Sequence, residues 1–186
     1  MRSVVVSFFA AFILAVTAHP ALAGNILDYQ GQCVPFAREA SGIEIHGDAW
    51  TWWGKAKGRY ERGSLPAIGS VLVFAKSPQL PLGHVAVVSR IVDHRVLMVT
   101  HANWSRIDGE RGHVERDVTL VDVSPDNDWS EVRVWYNSND GLGATTYPIY
   151  GFIYGETVSG RDVHASPQIT ERHPDYVGSL IDAYGG

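Results

Sequence analysis

The sequence holds a single cysteine in 186 residues, so no disulfide can form within the chain and packing must carry the fold. Positive charge is also scarce. Fifteen Lys and Arg stand against 20 Asp and Glu for a net charge of −5, and the basic residues are scattered, which excludes the basic stripe of a nucleic-acid binder. The longest apolar run, Val4 to Val16, falls short of the roughly 20 residues that span a bilayer as a helix. With no second Cys, no His-Glu-x-x-His pattern and no dense Asp loop, neither a metal nor another cofactor is expected. The sequence shows no internal repeat, and a second domain is not expected.

What is present begins with an export signal. Met1 and Arg2 precede the apolar run, and His19, Pro20 and the small-residue triplet Ala21-Leu22-Ala23 follow it, so cleavage is expected after Ala23. An uncleaved anchor is the alternative, which Pro20 and the Ala-x-Ala site argue against. Gly24 follows, so no lipid-accepting Cys is exposed. Removing residues 1–23 takes away Arg2 and moves the net charge to −6 on 163 residues, a size suited to one domain. The expected organisation is a signal peptide over 1–23, one domain over 24–157 and a flexible tail over 158–186. The expected destination is the periplasm or the exterior, with no stable membrane anchor after cleavage.

An unpaired Cys in an exported protein is either reactive or a buried filler. Around Cys33 the chain reads Gly31-Gln32-Cys33-Val34-Pro35-Phe36-Ala37, and the apolar stripe runs on through Ala40 to Gly42. Pro35 suits a first helical turn and Gly42 a helix end, so Cys33 is predicted at a helix N-terminus. There the free amides and the helix dipole favour a thiolate and offer donors to an oxyanion. A second short helix is predicted over Asp48 to Lys57, begun by an Asp cap and carrying Trp50, Trp52 and Trp53. Three Trp in four positions are too many for one core face, so at least one is expected on a surface or groove.

From Ser70 the pattern turns to strands: Ser70 to Phe74, His84 to Val92 and Arg95 to Trp104, then Val118 to Val123, Glu131 to Tyr136 and Tyr147 to Tyr154. The second and third form a hairpin turning near residues 93–94, which pairs positions whose numbers sum to about 187 and sets His84 opposite Asn103 or within a residue or two of it. His101 and Asn103 share a face of their strand. The hairpin end therefore gathers two imidazoles and an amide. One reading is catalytic, with His84 taking the thiol proton and His101 or Asn103 orienting it. Others are a set of strand neighbours with no catalytic role, and a zinc site recruiting His94 or His113.

Gly31-Gln32-Cys33 opening a helix, Gly83-His84-Val85-Ala86 opening a strand, and His101-Ala102-Asn103-Trp104 closing one resemble the cysteine, histidine-dependent amidohydrolase/peptidase (CHAP) family. The resemblance implies an α+β, papain-like fold, with N-terminal helices packed on an antiparallel sheet of about five to six strands. It also implies cleavage of amide or peptide bonds in peptidoglycan. Cys33 would be the nucleophile and His84 the base, while Asn103 matches the family's Asn. Where the commonest pattern has an acid two residues before that Asn, this chain has His101, which can accept a hydrogen bond but brings no negative charge. Gln32 is assigned to the oxyanion or to support, and Trp52, Trp53 and Trp104 to substrate binding. Two alternatives in function remain: a peptidase or amidase acting on a non-wall substrate, and a non-catalytic envelope-binding module.

Overall fold

Strands of mostly β-branched residues dominate the computed structural model, which describes residues 31–156. The expected signal peptide and tail lie outside the described residues. Two helices come first, α1 (Cys33–Ser41) and α2 (Trp52–Ala56), the second preceded by a 3-10 turn at Ala49–Thr51. Gly42 ends α1 as expected, with φ 71° and its N–H on the Arg38 carbonyl at 2.9 Å. Asp48 stands before the 3-10 turn but makes no side-chain cap. Eight strands follow: β1 (Glu61–Gly63), β2 (Val71–Phe74), β3 (His84–Ile91), β4 (Val96–Ala102), β5 (Val114–Asp122), β6 (Glu131–Tyr136), β7 (Gly141–Leu142) and β8 (Tyr147–Tyr154).

Side-chain alternation divides the interior. Leu72, Phe74, Ala86, Val88, Leu97, Val99, Leu120, Val134 and Phe152 share one cluster, enclosed by the sheet. Val71, Val73, Val85, Val87 and Ile153 point the other way, onto Phe36, Ala37, Ile43, Ile45, Trp52 and Ala56 from α1, α2 and the intervening loop. Strands β2 and β3 are consequently apolar on both faces. Each fully buried side chain the size of Phe36 contributes about 1.5–3 kcal/mol relative to exposure.

The α+β, papain-like expectation is overturned here. Strands β2 to β6 and β8 pair antiparallel in the order β8-β2-β3-β4-β5-β6, and β6 pairs again with β8 through Glu131↔Pro148 and Val132↔Tyr147. That last pairing closes a six-stranded barrel, with β1 added outside on β8 and β7 on β6. The fold is mostly β, with two short helices against the outside of the barrel. A closed barrel and an open sheet covered by helices share the same strand alternation, and only a contact between distant segments distinguishes them. Pro148, expected at an edge or before a strand start, is the second residue of a strand that pairs with β1, β2 and β6.

Gly83 fixes how β3 enters the barrel. Its φ is +67°, and a Cβ there would lie 2.7 Å from the Trp50 nitrogen and 2.9 Å from the Phe74 oxygen, both backbone atoms. Across this close approach the Trp50 N–H donates to the Leu82 carbonyl at 3.1 Å. Gly83→Ala is expected to destabilise the fold by about 2–4 kcal/mol, left-handed strain adding to backbone displacement, and to lower Tm by roughly 10 °C. Thermal unfolding followed by circular dichroism checks this, and an unchanged Tm would show that the loop yields freely.

Candidate active site

Cys33 is the first residue of α1 and half-buried, and it follows Gln32, whose extended backbone (φ −91°, ψ 152°) precedes the first helical turn. Burial pushes its thiol up from the ordinary cysteine range, outweighing hydrogen bonds from the backbone of Val85, Val34 and Cys33 itself that favour a thiolate. Helix position alone argues for a lowered value, so desolvation wins at this site. At neutral pH the thiol keeps its proton.

The hairpin register follows the sum of 187 at Val87↔Thr100 and Val88↔Val99, before a bulge shifts it by one. The numbering of β3 and β4 therefore puts His84 and His101 on the enclosed face with Ala86, Val88, Leu97 and Val99, at one end of the barrel. His84 Nε2 lies 3.1 Å from His101 Nδ1. Phe74 meets the His84 ring edge-on at 5.5 Å between centroids, and Trp104 lies 4.9 Å from it. His101, wholly buried, stacks on Trp104 at 5.5 Å.

These surroundings hold both imidazoles neutral. Burial, with a smaller contribution from the positive charge of Arg111, lowers His84 to about 3. Burial and then His84 hold His101 well below the ordinary histidine range. In a neutral pair only one of the two facing nitrogens carries a proton. If His84 donates from Nε2, its Nδ1 is left as a lone-pair acceptor. His101 then carries its proton on Nε2, an atom with no partner among the described residues. If His101 donates instead, His84 holds its proton on Nδ1 and cannot accept another there. Only the first tautomer makes His84 a base.

Asn103 has a different partner from the one its strand position suggests. Its backbone is left-handed, φ 66°, and its Nδ2 donates to Gln32 Oε1 at 2.8 Å while its N–H donates to the His113 carbonyl at 3.0 Å. His101 thus contacts His84, and Asn103 tethers the residue that precedes Cys33. Glu115 pairs with His101 across β4 and β5, yet its carboxylate accepts from the Ser105 N–H at 2.6 Å and from Asn137 Nδ2 at 2.7 Å. The acid is therefore engaged with the loop after Trp104.

A cleft of about 840 Å³ opens over these residues, with Gln32, Cys33, His84, Asn103 and Trp104 in its wall. Trp52 and Trp53 are not in that wall. Trp52 is fully buried between α2 and the barrel. Trp53 stacks on Tyr150 at 6.3 Å with the Arg62 guanidinium 4.5 Å over its ring. The cleft also includes Asp48, expected only as a helix cap, Tyr147 from the last strand, and Tyr136 and Arg111, to which sequence reasoning assigned no site role. Arg111 sits in a turn-rich loop with no strand or helix periodicity, and no local signal marked it. Among the described residues no three His, Cys, Asp or Glu side chains gather as a metal would require.

Residues 24–103 match the family model of the CHAP domain, in agreement with the resemblance carried by the Cys33, His84 and Asn103 motifs. The match points to a peptidoglycan-related role as an amidase or peptidase. No curated protein matches the chain. The matched segment ends at Asn103, so Arg111 and strands β5 to β8 lie beyond it.

Proposed function

We propose that this chain is an exported cysteine hydrolase that cleaves amide bonds in peptidoglycan, with Cys33 as nucleophile and His84 as base. The observation that carries the reading is the contact between His84 Nε2 and His101 Nδ1 in a cleft that also holds Cys33, which, in the tautomer where His84 donates from Nε2, leaves Nδ1 of His84 for the thiol proton. His101 orients His84 in this scheme, and Asn103 holds Gln32. The N-terminal run and the Ala-x-Ala site support export to the compartment where the wall is built.

The chemistry starts from a neutral thiol and a neutral imidazole. As the sulfur attacks the amide carbonyl carbon, the thiol proton passes to His84 Nδ1 and the carbonyl oxygen becomes an oxyanion. Gln32 has its Oε1 occupied by Asn103, so its side-chain amide nitrogen is the free end and serves, with the Cys33 N–H, as oxyanion donor. The imidazolium then gives its proton to the leaving nitrogen, the C–N bond breaks, and a thioester remains. Water attacks the thioester with His84 taking its proton, and collapse releases the carboxylic acid and restores the thiol. Among the described residues, Arg111 is the one charge that disfavours an imidazolium at His84, and no anionic side chain there favours it.

Purified sacculi incubated with the protein are expected to yield new amino groups and no new reducing sugar ends, with product masses naming the bond. Reducing ends would mean glycan cleavage and overturn the proposal.

A further inference from the structure

Arg111 is an exposed residue in the wall of the cleft that holds Cys33 and His84. Its guanidinium is not loose. Nη1 donates to the carbonyls of Trp104 at 2.9 Å and Asn103 at 3.4 Å, so it is fixed to the segment that follows His101. The remaining N–H groups on Nε and Nη2 have no partner, and no carboxylate lies within ion-pair distance, among the described residues. On its own loop, Arg106 donates to the Gly109 carbonyl, and Asp108 and Glu110 are exposed without pairing to it. Among the described residues that line the cleft, Arg111 is the one cation and Asp48 the one carboxylate.

In the free protein this placement works against the chemistry, because a positive charge there disfavours the imidazolium that His84 must become. His101 brings no negative charge to offset it. A bound anion at Arg111 would remove that conflict, and the planar fork of free N–H groups matches a carboxylate. We propose that Arg111 is a specificity residue that binds a carboxylate of an acidic peptide close to the scissile amide, so that the substrate supplies the negative charge the site lacks. This rests on the amide-hydrolase reading above and names its substrate class: a peptide with a free carboxylate near the bond cut.

The test measures binding apart from turnover. In Cys33→Ala protein, affinity is determined for a muramoyl tetrapeptide with free carboxyl groups and for the same peptide with those groups converted to primary amides. The acid form is expected to bind at least about tenfold more tightly, the worth of one charge-assisted pair. In Cys33→Ala/Arg111→Gln the ratio is expected to fall to near one, and Arg111→Lys to restore part of it. Equal affinity for the two peptides, no measurable binding of either, or a loss in Arg111→Gln that falls equally on both would overturn the proposal, the last marking Arg111 as a loop staple. Amine release by the wild type is scored separately. Release with equal affinities removes the role of Arg111 and leaves hydrolysis standing. No release with the affinity difference intact removes hydrolysis and leaves the carboxylate site.

Discussion

Replacing Cys33 or His84 by alanine is expected to lower amine release from peptidoglycan by at least about 10³-fold, and replacing both to cost little more than replacing either. The thiol is raised by burial and the imidazole lowered to about 3, so no thiolate stands ready at neutral pH. Without His84 the sulfur has no acceptor for its proton, and the leaving nitrogen has no donor. Without Cys33 the imidazole has no nucleophile to activate. Two residues that act in one proton transfer fail together, which is why the losses should not multiply. The same protonation state predicts that Cys33 in the resting protein is alkylated near pH 7 no faster than free cysteine. Losses that multiply in the double variant would mean that the two residues act independently and would sink the mechanism.

The sequence made legible whatever rests on short-range pattern. Pro35 and Gly42 mark the ends of the first helix, and Cys33 begins it. The turn near residues 93–94 sets the register that brings His84 to His101, because a hairpin pairs by counting from its loop. What escaped was decided by contacts between distant segments. Barrel closure depends on β6 meeting β8, and neither strand announces its second partner. Trp52 and Trp53 are neighbours in sequence with different fates, since one helical step turns Trp52 into the core and leaves Trp53 against Tyr150. Asn103 shares a strand face with His101 by count, but its left-handed backbone turns it toward Gln32. Arg111 was invisible because only the folded loop brings it to the cleft.

The position of His101 yields the last expectation, on how the site sets the basicity of His84. Orientation without charge leaves His84 at about 3, since burial disfavours the imidazolium and Arg111 adds repulsion. His101→Glu would place a carboxylate at His84 Nε2, where an opposite charge raises an imidazole by about 1–3 pKa units. The His84 ring is therefore expected to titrate at about pH 4–6 in that variant, above the wild-type ring at about 3. The sign follows from which form the carboxylate stabilises: it favours the charged ring, so protonation begins at higher pH and the acid limb of kcat/KM moves up with it. His101→Gln is the control, because it keeps an acceptor for the Nε2 proton and adds no charge, and it should leave the titration near the wild-type position. NMR of the labelled histidine ring reads both variants directly. If Glu and Gln titrate alike, His101 does not face His84 in solution, and the base must be oriented by something else. If only Glu shifts, the neutral pair is a property of this chain's choice of residue at position 101, and the negative charge that offsets an imidazolium must come from outside the protein, which is the role assigned to the substrate at Arg111.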